Sequence, residues 1–267
     1  MYTNLRMVEI EIHSYCNRTC SWCPNKYINR KIKKILPKTN YTNILNELKS
    51  LNYRGTISYS RYNEPFALKE IFTQYTKIAR LLLPEARLVT NTNGDYLTNS
   101  ILDRVEIDEL SIMDYDNKGL GYCIQRMEDL NFEITKIIDN KIYGFGHDME
   151  VVYVSDWARL ESFGDRAGSL EKADKKIRKK KCYEPFHFLG IDYNGNVMPC
   201  CNFRSDNNIH QEFVLGNIKN ESIRSILDSK KLKDLQLRLQ NLDFPEQCKY
   251  CIKEEGRYTR ENPGIKY

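Results

Sequence analysis

The sequence has no long apolar run. The apolar residues among 1–12 are interrupted by Arg6, Glu9 and Glu11, and His13 follows them. No secretory signal or membrane span is predicted there or later, which points to a cytoplasmic protein. Charge of one sign is also scarce. A net charge of +5 gives no argument for a nucleic-acid partner. Histidine is sparse, and His13, His147, His187 and His210 show no ligand spacing. Cysteine is what the chain does have. Nine cysteines without an export signal point to metal binding before disulfides. A length of 267 residues allows one large α/β domain, with a real core, plus a small one.

Three cysteines share one short loop, Cys16-Asn-Arg-Thr-Cys20-Ser-Trp-Cys23. No fourth Cys or His lies close enough to complete a local tetrahedron, as structural zinc requires. A zinc knuckle or a disulfide pair is the competing reading. Three thiolates suit an iron–sulfur cube with one iron left open, and an open iron can take an outside ligand. The loop resembles the signature of the radical S-adenosylmethionine (SAM) superfamily, Cys-x-x-x-Cys-x-aromatic-Cys, with Trp22 as the aromatic residue. That resemblance implies a [4Fe–4S] cluster on Cys16, Cys20 and Cys23 whose open iron chelates SAM. One electron then cleaves SAM to methionine and a 5′-deoxyadenosyl radical.

Along the chain, strand-like and helix-like stretches alternate. Strands are predicted over 8–12, 55–60, 87–90, 109–113 and 149–154, and helices over 39–51, 67–83, 97–105 and 119–130. Such alternation implies βαβ units and a parallel sheet. The resemblance narrows this to the partial, open (β/α) barrel of the radical SAM core, with its functional residues at the C-terminal strand ends. Tyr62-Asn63-Glu64-Pro65 follows the second strand, where the family carries a Gly-Gly-Glu-Pro-like motif. Glu64, with Asn63 beside it, is implied to receive the SAM amino group, although Tyr62 and Asn63 stand where the family has glycines. Thr92-Asn93-Gly94 follows the third strand and looks like the tip that approaches the SAM ribose. Alone, Asn-Gly is only a turn signal.

The last third differs in character. Residues 172–181 form a basic run, read as a solvated linker. Beyond it come a hairpin turned at Asn194-Gly195, then Leu215-Gly216-Asn217, a helix over 222–239, and Cys248-Lys-Tyr-Cys251. Cys182, Cys200, Cys248 and Cys251 alone fit zinc as well as iron. Their order resembles the twitch domain, a shortened SPASM domain, which implies a small α+β unit holding an auxiliary [4Fe–4S] cluster. A full SPASM domain needs further cysteines, and none follows Cys251, so one auxiliary cluster is expected. The implied division is a barrel over 1–168, a basic linker over 169–181 and the twitch domain over 182–267. Cys201 should point away from Cys200 if the strand continues, though it could substitute as a ligand. Cys123 reads as a buried thiol in a helix.

A short barrel followed by a twitch domain resembles the radical SAM dehydrogenases of aminoglycoside biosynthesis. The resemblance implies hydrogen abstraction from a carbinol carbon, loss of the hydroxyl proton, and electron transfer to the auxiliary cluster. Asp165-Arg166-Ala167-Gly168 resembles an Asn-Arg-Ala-Gly-like segment of this group, and the resemblance implies that Arg166 lies at the carbinol. Orienting a hydroxyl is the role that fits Arg166, because an arginine is always protonated. The alternative is a structural pairing of Arg166 with Asp165 or Glu161. Two other functions stay open. A ribosomal-peptide maturase is weakened because Cys16 arrives without room for a leader-binding domain. A non-catalytic electron carrier would need no SAM pocket. The implied partners are a small-molecule or peptide substrate and an electron donor such as flavodoxin or ferredoxin, and no motif names the substrate.

Overall fold

The computed structural model describes residues 5–159, 164–171 and 177–251. In chain order the elements are β1 (Met7–Ile10), α1 (Lys38–Ser50), β2 (Thr56–Ser58), α2 (Lys69–Leu82), β3 (Arg87–Thr92), α3 (Asn99–Leu102), β4 (Glu109–Met113) and α4 (Leu120–Asp129). There follow β5 (Glu133–Ile138), β6 (Lys141–Gly146), β7 (Met149–Val154), α5 (Glu184–His187), β8 (Phe188–Ile191), β9 (Asn196–Met198), β10 (Gly216–Asn217), α6 (Ile223–Asp228) and α7 (Lys230–Gln240).

The strands form a single sheet in the order β10-β9-β8-β1-β2-β3-β4-β7-β6-β5. Strands β8, β1, β2, β3, β4 and β7 run parallel, and antiparallel hairpins finish both ends. The ends do not pair, so the barrel is open, in keeping with the expected α/β class. The hairpin β8–β9 belongs to this same sheet because β8 pairs along β1, with Met7 opposite Phe188.

Alternation along the strands separates a dry face from a wet one. Val8, Ile10, Ile57, Leu88, Leu110, Ile112 and Val151 face the helices and form the main core with Tyr41, Ile44 and Leu48 of α1, Phe72 and Ala79 of α2, and Met127 of α4. The opposite side chains, among them Glu9, Asn91, Ser111, Met113, Val152 and Val154, line a central cavity. A smaller core of Ala167, Met198, Phe203, Phe213, Leu235 and Leu239 closes the C-terminal unit.

Three expectations are corrected. The helix expected over 222–239 is two helices, because Ser229 is extended (φ −60°, ψ 143°) and its hydroxyl caps α7 by accepting from Leu232 N–H. The expected helix over 97–105 is only the short α3. Within the basic run, residues 172–176 lie outside the described residues, and Arg178 is not solvated. It is 3% exposed, it donates to the carbonyls of Lys180 (2.7 Å) and Lys181 (3.0 Å), and it covers the Phe244 ring.

Candidate active site

The parallel strands end on one rim, and the cysteine loop arrives there directly from β1. Its shape is set by local bonds. The Cys23 amide donates to the Cys20 carbonyl (3.1 Å), Pro24–Lys26 makes a 3₁₀ turn, and the Cys16 amide donates to the Arg30 carbonyl (3.4 Å). Long-range contacts pin it to the barrel. Arg18 forks between Asp95 (2.6 and 2.8 Å) and Asp116 (2.8 and 3.0 Å), and Asn25 donates to the Tyr62 carbonyl (2.8 Å).

Cys16, Cys20 and Cys23 open onto a cavity of about 610 Å³ together with Trp22, Asn63, Glu64, Thr92, Asn93, Arg166 and Cys201. Residues that are widely separated in sequence therefore share one chamber. Gly94 does not line it and instead borders an adjoining cavity of about 330 Å³. Its φ of +79° favours glycine, and an added Cβ would lie 3.2 Å from the Ile112 side chain.

Glu64 is buried and tightly held. Oε1 accepts from Thr92 Oγ1 (2.7 Å) and the Phe66 amide (3.2 Å), while Oε2 accepts from the Asn93 amide (2.9 Å). Burial pushes its carboxyl up to about 7, against the opposing pull of these three hydrogen bonds. Asn93 reaches across to Asn17 of the cysteine loop (2.9 Å), and Asn63 shapes its own turn by accepting from the Arg61 amide (3.0 Å). Beside them Trp22, Tyr115 and Trp157 form an aromatic group with centroids 5.0–5.7 Å apart.

The second set of cysteines is also gathered. Cys182, Cys200 and Cys248 pack against the smaller core, and Asn202 Nδ2 lies 3.8 Å from Cys251 Sγ. The strand that would turn Cys201 away from Cys200 does not continue, since β9 ends at Met198, and Cys200 packs against the same small cluster as Cys201. Cys201 packs with Met7 and Phe188 and faces the central cavity. Burial pushes the Cys16 thiol up to about 12 and the Cys20 and Cys182 thiols to about 11, so metal binding must displace protons at these sites. Among the described residues, no group of three or more His, Cys, Asp or Glu converges as a single metal ion would require. A mononuclear zinc ion draws four donors to about 2.0–2.3 Å from one centre, whereas a cube binds each thiolate to a different iron and spaces them wider. Thiols without histidine fit the cube, and at Cys182, Cys200, Cys248 and Cys251 they fit a four-thiolate zinc site equally.

Several groups at the site are not apparent from the sequence. Arg61 is buried, pairs with Glu9 (3.2 Å) and donates to the Phe203 carbonyl. Tyr62 donates its hydroxyl to the carbonyls of Cys201 (3.0 Å) and Asn202 (3.2 Å). Asn202 joins the two halves, accepting from Arg166 (3.4 Å) through Oδ1 and approaching Cys251 through Nδ2. Arg204, 1% exposed, donates to Asn25 (2.9 Å), forks onto Asp206 (2.8 and 2.9 Å) and stacks over Tyr62 at 4.4 Å. Arg30 closes the network by pairing with both Glu11 (2.9 Å) and Asp206 (2.8 Å). His210, accepting from the Arg204 amide and donating to the Ala167 carbonyl, and the buried Cys123 serve the scaffold.

Residues 182–252 match the SPASM family, an iron–sulfur cluster-binding domain. Over 248 residues, 92% of either chain, the sequence is 27% identical to the S-adenosyl-L-methionine-dependent 2-deoxy-scyllo-inosamine dehydrogenase of Niallia circulans. The likenesses are thus to an iron–sulfur cluster-binding domain at the C-terminal end and to a SAM-dependent dehydrogenase along nearly the whole chain. The fold also appears in solved structures. BtrN in complex with AdoMet and 2-DOIA superposes with a TM-score of 0.76 at 24% identity, covering 98% of this chain and 99% of that one. BtrN in an open conformation gives 0.64, with coverage of 95% and 94% at the same identity. The AdoMet-bound anSMEcpe structure gives 0.57 at 12% identity, covering 93% and 86%. No helix of the described residues is long and apolar enough to cross a membrane.

Proposed function

We propose that this chain is a radical SAM enzyme, a cytoplasmic dehydrogenase of a small hydroxylated molecule. The observation that carries the reading is the single cavity shared by Cys16, Cys20, Cys23, Glu64 and Arg166, with the second cysteine set behind Asn202. Cys16, Cys20 and Cys23 would hold a SAM-binding [4Fe–4S] cluster, and Cys182, Cys200, Cys248 and Cys251 an auxiliary one. When bound, the first cluster with SAM supplies hydrogen-atom abstraction from carbon, and the second supplies a one-electron acceptor.

The chain's own residues supply the rest. A carboxylate offers about four lone-pair sites. Three on Glu64 are taken by Thr92, Asn93 and Phe66, which leaves one for the SAM ammonium. Thr92 and Asn93 hold that carboxylate at the edge of the ribose site, and Gly94 keeps the turn narrow. Trp22, Tyr115 and Trp157 offer flat apolar surface to the adenine ring. Glu9, fixed by Arg61, is a carboxylate within the cavity that accepts the substrate hydroxyl proton. Arg166 orients that hydroxyl, and Asn202 anchors its guanidinium.

A volume of about 610 Å³ lies within the range of small-molecule pockets, roughly 300–1,000 Å³. Its polar walls of Glu9, Ser60, Asn91, Ser111 and Lys141 suit a substrate with several hydroxyl groups. The test is a screen of cyclitols, sugars and nucleosides for stimulated 5′-deoxyadenosine formation by reduced, reconstituted enzyme. Stimulation by a hydroxylated small molecule, with a carbonyl product, supports the proposal. Stimulation by a peptide alone would replace it with peptide maturation.

A further inference from the structure

Two stretches carry the chain's excess of positive charge, the basic run at 172–181 and a second one beside the cysteine loop. Residues 12–46 contain seven Lys or Arg and no Asp or Glu, while the rest of the chain holds 34 basic against 36 acidic residues. Two of the seven are neutralised within the fold, Arg18 by Asp95 and Asp116, and Arg30 by Glu11 and Asp206. The five that remain, Lys26, Lys31, Lys33, Lys34 and Lys38, are exposed. Among the described residues none of them pairs with a carboxylate within 4 Å.

These lysines sit on the outer wall of the radical-site loop. The segment that carries them folds back over residues 12–17. Leu36 N–H donates to the Ile12 carbonyl (2.9 Å), Ser14 N–H to the Lys34 carbonyl (2.9 Å) and Cys16 N–H to the Arg30 carbonyl (3.4 Å). Lys31 Nζ reaches the carbonyls of Asn17 (2.6 Å) and Cys16 (3.3 Å), and Lys33 covers the Tyr15 ring at 5.0 Å. Among the lysines lie exposed apolar side chains, Tyr27 (51%), Ile32 (66%) and Ile35 (42%). An apolar centre ringed by one sign of charge is the composition of a small, transient protein interface, where charge steers the encounter and a limited apolar contact holds it.

We propose that this lysine face is the docking surface for a small acidic one-electron carrier protein. The proposal rests on the radical SAM reading above, because that chemistry needs one electron delivered from outside to the Cys16–Cys20–Cys23 site. In each delivery the carrier is oxidised by one electron and the group held by those cysteines is reduced by one. Charge complementarity selects an acidic carrier, and the position on the cysteine loop selects an electron donor over other anionic partners.

The test uses the full-length reconstituted enzyme and a recombinant bacterial flavodoxin. Lys26→Glu, Lys33→Glu and Lys34→Glu are combined, and Lys77→Glu with Lys219→Glu serves as a distant control of the same chemical kind. Two quantities are read: binding of oxidised flavodoxin by calorimetry, and 5′-deoxyadenosine formation driven by reduced flavodoxin or by dithionite. The triple variant should bind flavodoxin at least about tenfold more weakly and lose a similar factor in the flavodoxin-driven rate, and salt should imitate this in the parent enzyme. Its dithionite-driven rate should stay within about twofold of the parent, since no substituted residue touches the cavity. Unchanged flavodoxin binding in the triple variant, or an equal loss in the control, overturns the docking surface alone. Binding of an RNA duplex through this face, with flavodoxin unaffected, overturns it in favour of a nucleic-acid partner. No 5′-deoxyadenosine from the parent with dithionite overturns the functional reading beneath it.

Discussion

The Thr92 hydroxyl donates to Glu64 Oε1 at 2.7 Å, joining residues 28 apart in the chain. Glu64 stands just beyond β2, and Thr92 is the last residue of β3. The Asn93 amide binds the other carboxylate oxygen at 2.9 Å. Two short strand-end motifs thus form one anion-holding unit facing the cysteine loop.

Glu64→Gln keeps the shape of this unit and removes its charge. A hydrogen bond to a charged group contributes about 1.5–3 kcal/mol, so SAM should bind roughly 10- to 100-fold more weakly. Equilibrium dialysis with labelled SAM on cluster-loaded protein measures this. Parent-like affinity would remove Glu64 from the SAM site.

The same carboxyl gives a pH signature. Its pKa stands raised by burial from 4.5 to about 7, so the folded, SAM-free protein binds this proton more tightly than the unfolded chain. The stability contribution is then fully present below about pH 4.5 and is lost as pH rises through about 7. Thermal unfolding of SAM-free protein should show a decline over this window that Glu64→Gln flattens. SAM binding should have the opposite slope, tightening as Glu64 ionises, again only in the parent.

Asn202 is expected to couple Arg166 to the auxiliary side. Asn202→Ala frees the Arg166 guanidinium at one end, and Arg166→Gln removes its charge. Both should lower product formation by at least about tenfold while SAM cleavage continues, because misplacing a reacting group by an ångström can cost a hundredfold. Parallel assays of 5′-deoxyadenosine and oxidised product show the split. A proportional fall of both would assign Arg166 to SAM binding.

Arg204 is a stability residue. Arg204→Met leaves Asp206 and Asn25 short of a buried partner, which costs about 3–5 kcal/mol for a buried ion pair broken on one side. Arg30 still faces Asp206, so the lower end is expected. A marked drop in melting temperature should follow, with the secondary structure retained at low temperature by circular dichroism.

What was legible in the sequence was what is contiguous in it. Cys16, Cys20 and Cys23 share one loop, Glu64 and Thr92 follow strands with clear patterning, and the hairpin at Asn194-Gly195 announces itself by its turn. Each of these is local chemistry. Arg204 and Asn25 meet across 179 positions, and charged residues far apart read as solvated until the fold brings them together. The same holds for Arg61 and Glu9, 52 residues apart. The hairpin β5–β6 escaped for a different reason. β5 is the outer edge strand, exposed along most of its length with Ile137 and Ile138 facing solvent, so it lacks the one-sided alternation that marks a half-buried strand. The helix break at Ser229 was hidden because a leucine periodicity continues on both sides of it.

The central claim is that Cys16, Cys20 and Cys23 hold the cluster that cleaves SAM, and that the other four cysteines hold a second one. The most direct measurement pairs iron analysis with SAM turnover in the parent and in a Cys16→Ala, Cys20→Ala, Cys23→Ala variant, both reconstituted without oxygen. The parent should hold about eight irons, two cubes of four, and convert SAM to 5′-deoxyadenosine under dithionite. The variant should keep about four irons and make none. A variant that still forms 5′-deoxyadenosine, or a parent that saturates at about four irons with zinc in the other site, would contradict the account.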